Sequence, residues 1–198
     1  GRLLVPQTGK VDGGAYVDVP NLAPVYDYSR DGTLRSVEAS LERLGIGRID
    51  ILLIHDIDRF THRDDQPHRF KEAMDGAYPA LAELRSKGVV GAIGLGVNDW
   101  RVAEDVARIA DIDCVLLAGR YTLLEQEALA SFLPLCVEKQ VSIVAGGVFN
   151  SGILATGPKP GAVYNYGPAP QPILDRAAAL GRVCQAHGVP LAAAALQF

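Results

Sequence analysis

The sequence predicts an α/β protein with a parallel sheet, and within that class part of a (β/α)8 TIM barrel. Three observations carry this. Four apolar runs, at residues 49–56, 89–97, 113–118 and 141–145, each stop abruptly at polar or glycine-rich residues. Strands covered on both faces by helices read as such continuous runs. Helical periodicity fills the gaps, and that alternation means parallel strands joined by right-handed crossovers. Residues suited to chemistry follow several successive strands. A doubly wound open sheet shares the first two features; the third, with repeat units of roughly 25 to 50 residues, favours the barrel.

Taken in order, residues 1–28 show no clean period and many Gly, Pro and Asp, so they read as a loop-rich connector. Leu34, Val37, Leu41 and Leu44 fall at three- and four-residue steps, and Gly45 supplies the stop of a helix. The run 49–56 is a strand ending in His55-Asp56. Residues 59–69 are hydrophilic and read as a loop in which His62 and His68 are solvated. Phe70, Met74, Tyr78, Leu81 and Leu84 form the next helical stripe, closed by Gly88. The second strand, 89–97, leads to Asn98-Asp99-Trp100, where Asp99 can cap a helix carrying Val102, Val106 and Ile109. The third, 113–118, is followed by Gly119-Arg120-Tyr121-Thr122, and the fourth, 141–145, by 146–152. Pro172 opens a helix that runs to His187-Gly188, where His187 is a favourable cation at a C-terminus. Pro190 starts a last one. The aromatics and Met74 in these stripes are core residues.

The chain has 198 residues, a formal charge of −4 and 48% hydrophobic residues, enough to bury a sizeable core as one domain, 1–198. Interspersed charges of both signs with a net acidic balance argue against a nucleic-acid surface. No run reaches the ~20 apolar residues a membrane span needs. Cys114, Cys136 and Cys184 are odd in number, far apart and set among apolar residues, as reduced buried thiols of a cytoplasmic protein are. A whole barrel usually takes ~250 residues. With four clear strands, a first residue other than Met, and an end inside a helical pattern, the chain reads as a fragment lacking the first strands and the last.

Two constellations could carry chemistry. In α/β folds reactive groups stand at the carboxyl ends of strands, and His55, Asp56 and Asp58 occupy that position; alternatively His55 only satisfies backbone there. A divalent metal would need ligands from further strands, and those ends offer Asn98, Asp99, Arg120 and Tyr121 with no second His, so no metal is expected. The second constellation is glycine. Gly94 and Gly96, then Gly146, Gly147 and Gly152, put bare backbone at strand ends, where N–H groups suit phosphate oxygens. Neither segment is a P-loop or a G-x-G-x-x-G. Parallel strands should bring His55, Asn98, Tyr121 and Gly147 to one rim.

Several of these segments, read together, resemble the aldo/keto reductase superfamily: Leu53-Ile54-His55-Asp56, Leu41-Glu42-Arg43-Leu44-Gly45 and Gly94-Leu95-Gly96-Val97-Asn98. Tyr26-Asp27-Tyr28-Ser29-Arg30-Asp31-Gly32, Met74-Asp75-Gly76-Ala77-Tyr78-Pro79 and the stretch 145–154 look like its branch of aldose, fucose and pyridoxal dehydrogenases. The resemblance spans essentially the whole chain. It implies a (β/α)8 oxidoreductase that uses NAD or NADP without metal or flavin and acts on a small sugar or carbonyl substrate. It also implies a general acid/base Tyr assisted by Lys and Asp, and a His that orients the substrate oxygen. His55 matches that His. Gly1-Arg2-Leu3-Leu4 resembles the segment directly after the Lys, so the other three groups are expected on earlier strands. Asn98, Gly147, Phe149, Ser151 and Gly152 are the implied cofactor contacts: Asn98 toward the carboxamide, the others by main-chain N–H to the pyrophosphate. Two departures stand out. Asn98 follows Val97 where many members have Ser-Asn, and Gly146 stands where a Tyr often stacks on the nicotinamide. Other readings are a non-catalytic regulatory member of the superfamily and a metal-dependent barrel hydrolase. Substrate identity, the choice of NAD or NADP and oligomeric state depend on residues mostly outside the chain.

Overall fold

The computed structural model describes residues 2–12 and 17–198. The chain divides into two compact units, Gly1–Ile93 and Gly94–Phe198. In the first, β1 (Arg2–Pro6) pairs antiparallel with β2 (Leu22–Tyr26), Arg2 opposite Tyr26 and Pro6 opposite Leu22. The expected connector is therefore a two-stranded ribbon where it is described; Gly1 and residues 13–16 lie outside the described residues. Pro6 and Pro24 masked it. Proline cannot donate to a ladder, yet a ribbon has an outer edge on each strand where none is needed.

Helix α1 (Arg30–Leu44) starts at Ser29, whose Oγ accepts from the Gly32 N–H at 3.0 Å. Gly45 ends it in the left-handed region, φ 65°, with the Ile46 N–H closing onto the Leu41 carbonyl at 3.3 Å. The first core strand, β3, covers Ile51–His55. Its entry is anchored by the Gly91 and Ala92 N–H groups, which donate to the Asp50 carbonyl at 2.9 and 3.0 Å.

The segment expected as a polar loop is helical instead. Asp58 caps α2 (Arg59–His62) by accepting from the Thr61 N–H at 2.9 Å. A 3-10 turn, Arg63–Asp65, leads into α3 (Gln66–Glu72), with Pro67 in its first turn and Arg69 paired to Asp65 at 2.8 Å. An amphipathic stripe is missing here because most of this turn faces solvent. A π turn, Ala73–Ala77, joins α3 to α4 (Tyr78–Ser86). It brings Gly76 against the backbone of Tyr28, whose carbonyl oxygen would lie 2.6 Å from any Cβ at that position.

In the second unit, the part of β4 (Ala92–Val97) from Gly94 on forms the parallel pair β4–β5, followed by β5–β6, where β5 is Cys114–Ala118 and β6 is Ser142–Gly146. Gly94 meets the Cys114 carbonyl so closely that no larger residue fits. Helix α5 (Trp100–Ile109), capped by Asp99 on the Arg101 N–H at 3.0 Å, buries Val102, Ala103, Val106 and Ala107. Helix α6 (Phe132–Lys139) ends on left-handed Gln140, φ 57°, so no glycine announced it in the sequence. After α7 (Ile153–Thr156), the short strands β7 (Val163–Tyr164) and β8 (Gly167–Pro168) pair around Asn165-Tyr166, both at positive φ as a tight hairpin requires. Helices α8 (Gln171–Ala186) and α9 (Leu191–Gln197) follow the two proline starts. The core cluster here is Leu124, Ile153, Leu154, Ala177 and Ala195.

Replacing an exposed helical glycine by alanine normally stabilises a protein by about 0.5–1 kcal/mol. For Gly76→Ala in the full-length protein the expected sign is opposite, a loss of roughly 1–3 kcal/mol from overpacking, read as a lower urea midpoint. A midpoint above wild type would show that the helix does not rest on Tyr28.

Candidate functional site

In the first unit the site forms where β3 stops. His55 lies at the strand's last position with its ring 54% exposed, whereas the Asp56 side chain is 6% exposed. His55 Nδ1 and Asp56 Oδ2 are 2.8 Å apart, and the Arg2 guanidinium, arriving on β1, pairs with the same oxygen. Burial alone would raise the Asp56 pKa. The hydrogen bonds and charges of His55 and Arg2 outweigh it and hold the carboxyl below the ordinary carboxylate range.

Beneath them, the fully buried Tyr28 sets its hydroxyl 2.9 Å from the His55 carbonyl and 2.8 Å from the Asp56 carbonyl. Its third neighbour is His62 Nε2 at 2.9 Å. A hydroxyl has one proton, which the two carbonyl oxygens share, and its lone pairs can accept from His62 Nε2 where that nitrogen carries a proton. Burial first, then nearby Tyr26 and Asp56, pushes the Tyr28 pKa far above the ordinary phenol value, so Tyr28 is a peg and not an acid. His62 is not the solvated loop residue the composition suggests. Its ring stands edge-on to Tyr26 with centroids 4.6 Å apart, and burial lowers its pKa. His68 is exposed and stands 3.5 Å from Asp65. His187 stands at the C-cap of α8.

The second unit holds its own pocket of about 160 Å³, lined by Asn98, Gly119, Gly147, Asn150, Ser151 and Tyr166 among others. A ladder of hydrogen bonds fixes its walls. The Gly119 N–H donates to the Gly146 carbonyl at 2.8 Å, and Asn150 Nδ2 donates to the Gly119 carbonyl at 3.1 Å. Thr122 Oγ1 donates to Asn150 Oδ1 at 2.6 Å and accepts from the Leu124 and Glu125 N–H groups at 3.1 Å each. Thr122 and Asn150 are buried and were not singled out from sequence. The available signal was a polar residue inside a glycine-rich loop at each of two successive strand ends. Arg120 bonds the Gly119 carbonyl at 3.1 Å and Asn165 Oδ1 at 3.0 Å, which ties the β7–β8 hairpin to the rim and puts a cation beside the pocket. Tyr164, bonded to Glu125, is pushed up to about 12 mainly by burial.

Of the sequence-derived cofactor residues, Asn98, Gly147 and Ser151 line this pocket. Phe149 turns into the apolar cluster, and the Gly152 N–H is engaged by the Phe149 carbonyl at 3.0 Å, which removes it from the donors the sequence suggests. Tyr121 packs against Phe198, ring centroids 5.2 Å apart. Gly147, at φ 59°, lets the loop approach Gly119, where a Cβ would meet the amide nitrogen at 3.2 Å. A drug-sized ligand needs roughly 300 Å³ or more, so a pocket of about 160 Å³ has room only for a small group of about the size of a phosphate. Bare backbone, an amide, a hydroxyl and a neighbouring guanidinium suit such an anion. Among the described residues no group of three or more His, Cys, Asp or Glu side chains converges as a metal site.

The chain is 44% identical over 202 residues to pyridoxal 4-dehydrogenase of Microbacterium luteolum, covering 100% of this chain and 58% of that protein. It is 42% identical over 204 residues to D-threo-aldose 1-dehydrogenase of a Pseudomonas species, covering 100% and 60%. Thus the chain spans about three fifths of the length of these relatives. A glycerol dehydrogenase structure from Gluconobacter oxydans superimposes with a TM-score of 0.63 at 18% identity over 98% of this chain and 56% of that one, a likeness of fold. The aldo/keto reductase family model matches residues 19–198. With its parallel strands and helices, and with most of its length matched, the chain belongs to the aldo/keto reductase family and to its TIM-barrel α/β fold class.

Proposed function

We propose that the full-length protein is an NAD(P)-dependent oxidoreductase that moves a hydride between a nicotinamide and C1 of an aldose, or a related carbonyl or alcohol. The observation that carries this is His55, exposed at a strand's carboxyl end and held from behind by a buried carboxylate. The names of the two similar dehydrogenases support the substrate class. Residues 1–198 then form part of one catalytic domain, and the acid/base Tyr with its Lys and Asp lies in the remainder.

The bound nicotinamide would supply the hydride acceptor or donor. This chain's share is to hold and orient. Asn98, Gly147 and Ser151 would grip a polar part of the cofactor, with Phe149 and Gly152 shaping the loop behind them. His55 would hold the reacting oxygen of the substrate. Cys114 and Cys136 are buried, and burial followed by Glu104 pushes the Cys136 thiol up to about 11, which suits a reduced thiol in a cytoplasm. Among the described residues no helix is long and apolar enough to cross a membrane.

In the full-length protein, His55→Ala should lower kcat/KM for aldose oxidation by about 10²- to 10⁴-fold while the dissociation constant for NAD or NADP, measured by calorimetry, changes little. Unchanged turnover would leave His55 a structural residue. Residues 1–198 alone should reduce neither cofactor in the presence of aldoses or pyridoxal, whereas the full-length protein should. A full-length protein that binds NAD(P) but turns over none of these substrates would favour the regulatory reading.

A further inference from the structure

Beside His55 the mouth of the site carries a cation whose place is fixed from more than one side. The backbone turns left-handed at Asp56, φ 53°, which folds its carboxylate back toward the His55 ring. Asp56 Oδ2 lies 2.8 Å from His55 Nδ1 and pairs with the Arg2 guanidinium as well. Arg2 stands opposite Tyr26 in the β1–β2 register, and its guanidinium carbon lies over the Tyr26 ring, 5.4 Å from the centroid. Tyr26 is braced in turn by the edge-on ring of His62. A counter-ion for Asp56 needs only the ion pair; the contact with Tyr26 sets the direction of the fork too. A guanidinium has five N–H donors, more than Asp56 and the Tyr26 hydroxyl can occupy. The Arg2 side chain is 45% exposed, at the same mouth as the exposed His55 ring. Because His55 and Arg2 meet on one oxygen of Asp56, they are close enough to hold neighbouring oxygens of one small molecule. The charge of Arg2 is matched by Asp56, so the pair favours a neutral hydroxyl over a carboxylate.

We propose that Arg2 is a specificity-determining residue that binds the substrate directly, donating an N–H to the hydroxyl on the carbon next to the reacting one while His55 holds the reacting oxygen. This deepens the hydride-transfer reading of the site and rests on it. Tyr26 covers one face of the guanidinium, so the hydroxyl is met in the plane of the fork, where the N–H groups point. An aldose carries such an oxygen at C2, and a 2-deoxy aldose lacks it. A site built to hydrogen-bond a hydroxyl rejects the analogue without one, because its own donor is then left unpaired.

The test uses the full-length protein. The value of kcat/KM is measured for an aldose and for its 2-deoxy counterpart, with NAD or NADP saturating. Wild type should favour the aldose by about 10- to 100-fold, the effect of one hydrogen bond to a charged donor. Arg2→Gln should cut that ratio about tenfold or more, mainly through the aldose, because the 2-deoxy sugar never used the donor. Arg2→Lys keeps a cation for the buried Asp56, and with it the fold, but a single ammonium has no planar fork to share. It should lose most of the preference as well. An equal loss of activity on both sugars, with the ratio unchanged in Arg2→Lys, makes Arg2 a counter-ion only and overturns the proposal. A wild-type protein that favours neither sugar also overturns it. If Arg2→Gln does not fold, Arg2→Lys decides. Turnover of neither sugar with either cofactor defeats the hydride-transfer reading instead, and calorimetric binding of the two sugars to the protein with NAD or NADP present then takes the place of rates. A wild-type binding preference that Arg2→Lys abolishes upholds the role of Arg2; equal or absent binding overturns it.

Discussion

A carboxylate withdrawn from water costs several kcal/mol unless other groups replace its hydration, and Asp56 meets that requirement with a guanidinium from β1 and the imidazole of its own neighbour. The rest of the first unit's site depends on this arrangement. Arg2 needs β1 paired with β2 to reach inward, and the left-handed turn needs the Tyr28 hydroxyl beneath its two carbonyls. Losing Arg2 is the damaging change, because the buried Asp56 is then left charged with one partner fewer, whereas the half-exposed Arg2 can turn to water. Since the Asp56 pKa is depressed on folding, the stabilisation it contributes is present at neutral pH and is lost as pH falls through the folded value.

The second unit reaches the same end with neutral groups. Asn150 and Thr122 are buried polar side chains that bond to each other and to backbone, so the loops after β5 and β6 are held as one piece. A buried amide that lacked these partners would cost about 1–3 kcal/mol. Rigid loops allow Gly147 and Ser151 to line a small polar pocket. One site is thus organised by charge and the other by an amide network, and each lies where strands end.

Much of the organisation was legible in the sequence. The four apolar runs correspond to β3, β4, β5 and β6, and Gly45, Asp99, Pro172 and Pro190 mark helix boundaries close to where the structure has them. His55 stood out because an imidazole interrupts an aliphatic run. The features that stayed hidden had weak local signals. Helix α6 ends on Gln140 where a glycine would have advertised the turn, and the polar helices α2 and α3 bury too little apolar surface to show a stripe.

By itself, then, the sequence determined the order of strands and helices, the fold class, and the presence of polar residues and glycines at strand ends. These are consequences of local periodicity, since burial along a single element repeats every two or 3.6 residues. Only the tertiary structure decided which groups meet. Arg2 and Asp56 are 54 residues apart, Tyr28 and His62 are 34 apart, and Thr122 and Asn150 are 28 apart. The sign of φ at Asp56, which turns a carboxylate from the far face of the strand onto its neighbour's ring, is likewise set by those distant partners. No window of sequence contains the energies that hold them together.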